Sequence, residues 1–138
     1  MTKKTTIAAL SALASMTLTA LCAAPAMAHH SFAAAYDMQD AMTITGKITE
    51  VRLTNPHSHF FLDVQGADGK IEHWTIEAGT PGGMIRNGYS QQTIKTGDIV
   101  TIKGFRARDK STNGMLRELV TADGTVYGMF GPQQGGAK

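Results

Sequence analysis

The stretch SHFFLDVQGADGKIEHWTIE, residues 58–77, decides the fold. Two runs of aromatic, aliphatic and β-branched residues, 58–65 and 70–77, flank Gly66-Ala67-Asp68-Gly69, and short hairpin loops select such Gly and Asp residues. A four-residue loop pairs Gln65 with Lys70 and predicts the cross-strand pairs Phe61–Trp74, Asp63–Glu72 and His59–Ile76. Successive strand side chains point to opposite faces. On that register His57, His59, Phe61 and Asp63 share a face with Glu72, Trp74 and Ile76. Phe60, Leu62, Val64, Ile71, His73 and Thr75 take the other face, which is more uniformly apolar and is assigned to the core. The register also sets Asp63 opposite Glu72, a like-charge pair that disfavours pairing. A one-residue slip would exchange the faces.

Outward from the hairpin, strands dominate. Residues 42–53 are β-branched and partly alternating, with Gly46 predicting a bend or bulge. Asn55-Pro56 breaks that strand. In residues 78–95, GTPGG reads as a loop and MIRNGYSQQTIK as room for a short helix. Residues 99–106 alternate well, and 115–121 with 125–129 form a last hairpin around Asp123-Gly124. The order predicts an all-β chain, a five- to six-stranded OB-like Greek-key barrel with a short helical connector after the third strand. A small sandwich or another β-barrel has the same element order. Upstream, Phe32 and Tyr36 stand at helical spacing and can tuck residues 29–40 onto the body.

The first 28 residues have the pattern of a secretory signal: Lys3 and Lys4, an apolar stretch, then Ala26-Met27-Ala28 as a cleavage motif. Cleavage after Ala28 leaves an N-terminal arm (29–40), a β-domain (41–130) and a polar Gly-rich tail (131–138) that reads as disordered. The expected location is periplasmic or secreted, with no stable membrane anchor after processing. The formal charge of +2 comes from Lys3 and Lys4, so residues 29–138 are neutral and offer no electrostatic case for nucleic acid. The single cysteine, Cys22, lies in the leader, which leaves no disulfide and no thiolate ligand in the rest. No nucleophile elbow, phosphate loop or dinucleotide fingerprint occurs, so the expectation is a non-catalytic binding domain. Met38, Met42, Met84, Met115 and Met129 are scattered and read as core filler and surface residues.

All five histidines fall after the expected cleavage point: His29, His30, His57, His59 and His73. Processing would leave His29 first, and a terminal histidine offers a metal both its α-amine and its imidazole. With ordinary pKa values of about 7.7–8.0 and 6.5, these groups can lose their protons to a metal at neutral pH. His57-Ser58-His59 is a second half-site at strand spacing. Amine, His29 and one of His57 or His59 make a T-shaped nitrogen set, a histidine brace, which suits Cu(II). Zn(II) can instead use His29, His57 and His59 tetrahedrally. His30 is a rival second ligand. His73 reads as a hydrogen-bonded histidine at the core edge. The metal-free alternative is a module that binds a small ligand or an envelope protein through Phe61, Trp74 and Ile76, and a second alternative is a copper-dependent oxidoreductase.

HHSFAAAYD, TNPHSHFFLDV, GTPGGMIRNGY and TGDIVTIKGFRARD together resemble a family of short secreted bacterial proteins, catalogued as domain of unknown function 6152. The resemblance covers nearly all of residues 29–123. It implies export and a single small β-domain, and carries no activity. Its pattern holds the double histidine and the histidine of the NPH element, which are His29, His30 and His57 here. The chain departs from it at His59, where an aromatic is usual, and at Ala35, where an acidic residue is expected. The resemblance therefore favours His57 over His59 as a ligand.

Overall fold

The computed structural model describes residues 32–129. The expected leader, the expected tail, and His29 and His30 lie outside the described residues. A four-residue helix, α1 (Phe32–Ala35), opens directly into the long strand β1 (Tyr36–Arg52). Then come β2 (His59–Gln65), β3 (Ile71–Glu77), the short helix α2 (Pro81–Arg86), β4 (Ile99–Ala107), β5 (Asn113–Thr121) and β6 (Val126–Gly128). The described residues are thus all-β, six strands with two short helices. The sheet order is β3-β2-β1-β4-β5-β6, and β3 also pairs with β5. That last pairing is parallel, at Thr75–Asn113, Ile76–Gly114 and Glu77–Met115, while the others are antiparallel.

The hairpin strands stand where expected, but their register differs by one residue. Gln65 pairs with Ile71, Leu62 with Trp74, Asp63 with His73 and His59 with Glu77. The reason is the loop. The Gly66 N–H donates to the Lys70 carbonyl at 2.8 Å, and the Gly69 N–H closes back on the Gly66 carbonyl at 3.0 Å. Gly69 adopts φ +81°, the left-handed conformation that follows a tight turn in three-residue hairpin loops. Asp68 Oδ1 accepts the Lys70 N–H at 3.0 Å and braces the same turn. An odd loop reverses every side chain of β3 relative to the even one.

Trp74 and Ile76 therefore enter the core, 3% and 0% exposed, beside Phe60 and Leu62. They do not join Phe61 on a ligand face. Ile71, His73 and Thr75 leave the core face, and His73 stands exposed on the outer side rather than at a core edge. The register also removes the expected Asp63–Glu72 conflict: Asp63 faces His73 instead, and His73 Nδ1 lies 2.7 Å from its carboxylate. Glu72 accepts the indole N–H of Trp74 at 2.9 Å.

Elsewhere the differences are local. β1 begins at Tyr36, so residues 36–40 belong to the sheet rather than to an arm. Gly46 sits in regular pairing on both sides, and the β1–β2 irregularity falls between Ile48 and Glu50. A second irregularity falls at Lys103/Gly104 between β4 and β5. There a Cβ on Gly104 would stand 1.9 Å from the Met115 carbonyl oxygen, so only glycine fits. α2 starts inside the GTPGG segment: Thr80 caps it by accepting the Gly83 N–H at 3.3 Å, and Pro81 occupies the first helical turn. The connector is tied to the last strand by Tyr89, whose hydroxyl donates to the Tyr127 carbonyl at 2.7 Å, and by Asn87, whose amide donates to the Met129 carbonyl at 2.7 Å. Four of the five later methionines, Met42, Met84, Met115 and Met129, are buried core filler, while Met38 is exposed.

Candidate functional site

His57 follows a cis Asn55-Pro56 bond and lies just before β2. Ser58 continues the hairpin pairing past the strand end: its N–H donates to Gly79 and its carbonyl accepts from Ala78. Ser58 is fully buried, and its hydroxyl has no partner among the described residues. Strand alternation then puts its neighbours His57 and His59 on the outer side.

His57 Nδ1 meets Glu77 Oε1. The other carboxylate oxygen, Oε2, accepts the hydroxyl of Tyr36 at 2.5 Å. One carboxylate thus joins the hairpin histidine to the start of β1. The ring of Phe32 stacks on His57, centroids 5.1 Å apart and planes at 27°, and Phe32 also packs against Tyr36 at 6.2 Å. Phe32 packs the segment before β1 onto the body, and His57 is where it lands. Arg108 secures the backbone of α1: its N–H donates to the Ala35 carbonyl and its Nε to the Ala33 carbonyl, each at 3.0 Å. His57 and Glu77 are each only about a quarter exposed. Burial, the hydrogen bond to Glu77 and the charges of Glu77 and Asp109 push the Tyr36 phenol well above the ordinary tyrosine range. Tyr36 therefore stays protonated and serves Glu77 as a donor.

No hydrogen bond reaches His57 Nε2 from the described residues. A histidine whose Nδ1–H is held by a carboxylate and whose Nε2 is left over is the usual arrangement of a metal ligand. No group of three or more His, Asp or Glu spaced to hold a metal occurs among the described residues. Any metal held at His57 would need ligands besides the described residues.

His59 is placed differently. It pairs with Glu77 on one side and Arg52 on the other, but its ring stacks toward Phe61, centroids 6.3 Å apart. The Arg52 guanidinium lies 4.8 Å over the same Phe61 ring and is bound to Glu50 at 2.7 Å. Of the expected ligand face only Phe61 remains outside. Trp74 lies in the core with the Arg106 guanidinium 5.0 Å from its ring. An aromatic platform of Phe61, Trp74 and Ile76 does not exist, because the loop turns β3 over.

Reading the sequence misses Glu77, its hydrogen bond from Tyr36, and the stacking of Phe32 on His57. The signal for Glu77 is its place opposite His59 once the three-residue loop is assumed.

No curated protein matches the chain. The model of a family of unknown function, DUF6152, matches residues 17–117, a span that includes Phe32, Tyr36, His57 and Glu77. That span is well over half of the chain, and the protein belongs to the DUF6152 family.

Proposed function

We propose that the protein is a non-catalytic, exported binding domain that holds a transition metal, Cu(II) before Zn(II), through the α-amine and imidazole of a processed His29 together with His57 Nε2. The observation that carries this reading is the seat of Phe32 on His57. His29 is three residues before Phe32, so its Cα lies within about 10–11 Å of the Phe32 Cα even in fully extended chain. That reach lets the terminal histidine come to the neighbourhood of His57, whose Nδ1 is already held by the Glu77 carboxylate. His59, turned toward Phe61, is the weaker candidate, and His30 competes with His29 for the arm's contribution. The leader pattern of residues 1–28 supports export to the periplasm. The OB-like Greek-key reading belongs with this proposal; it draws support from the pairing circuit β1–β2–β3–β5–β4–β1, with α2 after β3.

The test compares Cu(II) binding by protein beginning at His29 with the same protein acetylated at its terminal amine. Acetylation turns the His29 amine into an amide and creates no new amine. The expected loss of affinity exceeds the roughly 10–100-fold that removal of an outer partner costs. Equal affinity in the two proteins overturns the brace.

A further inference from the structure

We propose that Glu77 is the positioning residue of His57: it fixes the Nδ1–H tautomer, turns the Nε2 lone pair outward, and is itself held by Tyr36. The inference deepens the metal reading and rests on it for its purpose, although the tautomer belongs to the metal-free protein. Three observations lead to it. Glu77 offers Oε1 to His57 and Oε2 to Tyr36, so both its oxygens are engaged. An ionised carboxylate only accepts hydrogen bonds, so in the neutral imidazole Nδ1 must carry the proton and Nε2 the lone pair. The Phe32 ring covers one face of the imidazole and opposes rotation of the ring out of this geometry.

The arrangement has a chemical consequence. Nδ1–H bonded to an anion makes Nε2 a better electron-pair donor, and the fixed ring orientation removes a rotational cost of binding. Tyr36 contributes by fixing Glu77 in place, through a residue 41 positions away in sequence. His73 forms a similar pair with Asp63, but it is 83% exposed and has no third group holding the carboxylate among the described residues. It serves as the internal control.

The experiment is long-range ¹H–¹⁵N correlation NMR on ¹⁵N-labelled metal-free protein, at a pH where the imidazoles are neutral. Wild type should show His57 as the Nδ1–H tautomer. Glu77→Ala should return His57 to the Nε2–H form that an unconstrained imidazole favours, with the His73 signals unchanged. Glu77→Gln keeps a carbonyl acceptor and should keep the Nδ1–H form, which separates positioning from loss of folding. Cu(II) titration of the same proteins should weaken 10–100-fold in Glu77→Ala and less in Glu77→Gln. An Nε2–H tautomer in wild type overturns the inference whatever the metal does. A tautomer change without any difference in Cu(II) affinity overturns the positioning role. If wild type shows the Nδ1–H form and no variant binds Cu(II), the tautomer assignment stands and the metal reading falls.

Discussion

The orientation of β3 is tested by truncating Trp74, which is 3% exposed. Its indole N–H donates to Glu72 at 2.9 Å, and the Arg106 guanidinium stacks 5.0 Å from its ring. Trp74→Ala empties a large core volume, and such truncations cost about 3–5 kcal/mol. The lost cation–π contact adds roughly 0.5–1 kcal/mol. A total near 5 kcal/mol is a large share of the about 5–15 kcal/mol that stabilises a typical domain. It lowers Tm by about 20–40 °C at the roughly 4–8 °C per kcal/mol expected for a domain of this size. Phe61→Ala, on the outer face, loses the Arg52 and His59 contacts and should cost about 1 kcal/mol. Urea unfolding of the two variants supplies the comparison. Trp74 is the only tryptophan, so acrylamide quenching of wild-type fluorescence reads its shielding directly. Equal costs for the two variants, or a readily quenched tryptophan, would refute the three-residue loop and restore the register with Trp74 outside.

Other consequences can be checked in the same way. Gly104→Ala drives a methyl group to within 1.9 Å of the Met115 carbonyl oxygen, so the bulge must open, at a cost of about 3 kcal/mol in a urea melt; a neutral substitution would contradict the close approach. Tyr36 and Tyr89 both have phenols pushed up by burial, Tyr36 also by Glu77 and Tyr89 also by Tyr127 and Glu118. Above about pH 10 unfolded tyrosines ionise while these two keep their protons in the fold, so stability is intact below that pH and falls above it by about 1.4 kcal/mol per pH unit per tyrosine. Tm measured from pH 9 to 11.5 should drop less steeply in the Tyr36→Phe/Tyr89→Phe protein than in wild type, and identical slopes would contradict this. Phe32→Ala removes the ring stacked on His57 and should raise hydrogen exchange at Tyr36 and Arg108 while leaving the core strands protected. Unchanged protection there would show that the arm is held without Phe32.

The strands of residues 58–77 are legible in sequence because alternation survives in β2, where Phe60, Leu62 and Val64 take one side. The orientation of β3 is not, because its two faces are nearly balanced. Ile71, His73 and Thr75 look as suitable for the core as Glu72, Trp74 and Ile76. Only the loop decides, and its cue is Gly69 after Asp68, the glycine that a left-handed turn position demands. α2 is hidden by three glycines, although Thr80-Pro81 is a helix start. His57 is found from its spacing to Pro56 and His59. Glu77 and Tyr36 escape because the bonds from Tyr36 to Glu77 and from Glu77 to His57 are made by tertiary pairing and by no local pattern.

Electron paramagnetic resonance on protein beginning at His29, loaded with one equivalent of Cu(II), tests the central claim most directly. Nitrogen couplings are compared between wild type and His57→Ala. The account predicts an amine and two imidazole nitrogens in wild type, and the loss of one imidazole coupling in the variant. The same spectrum from both proteins would contradict it.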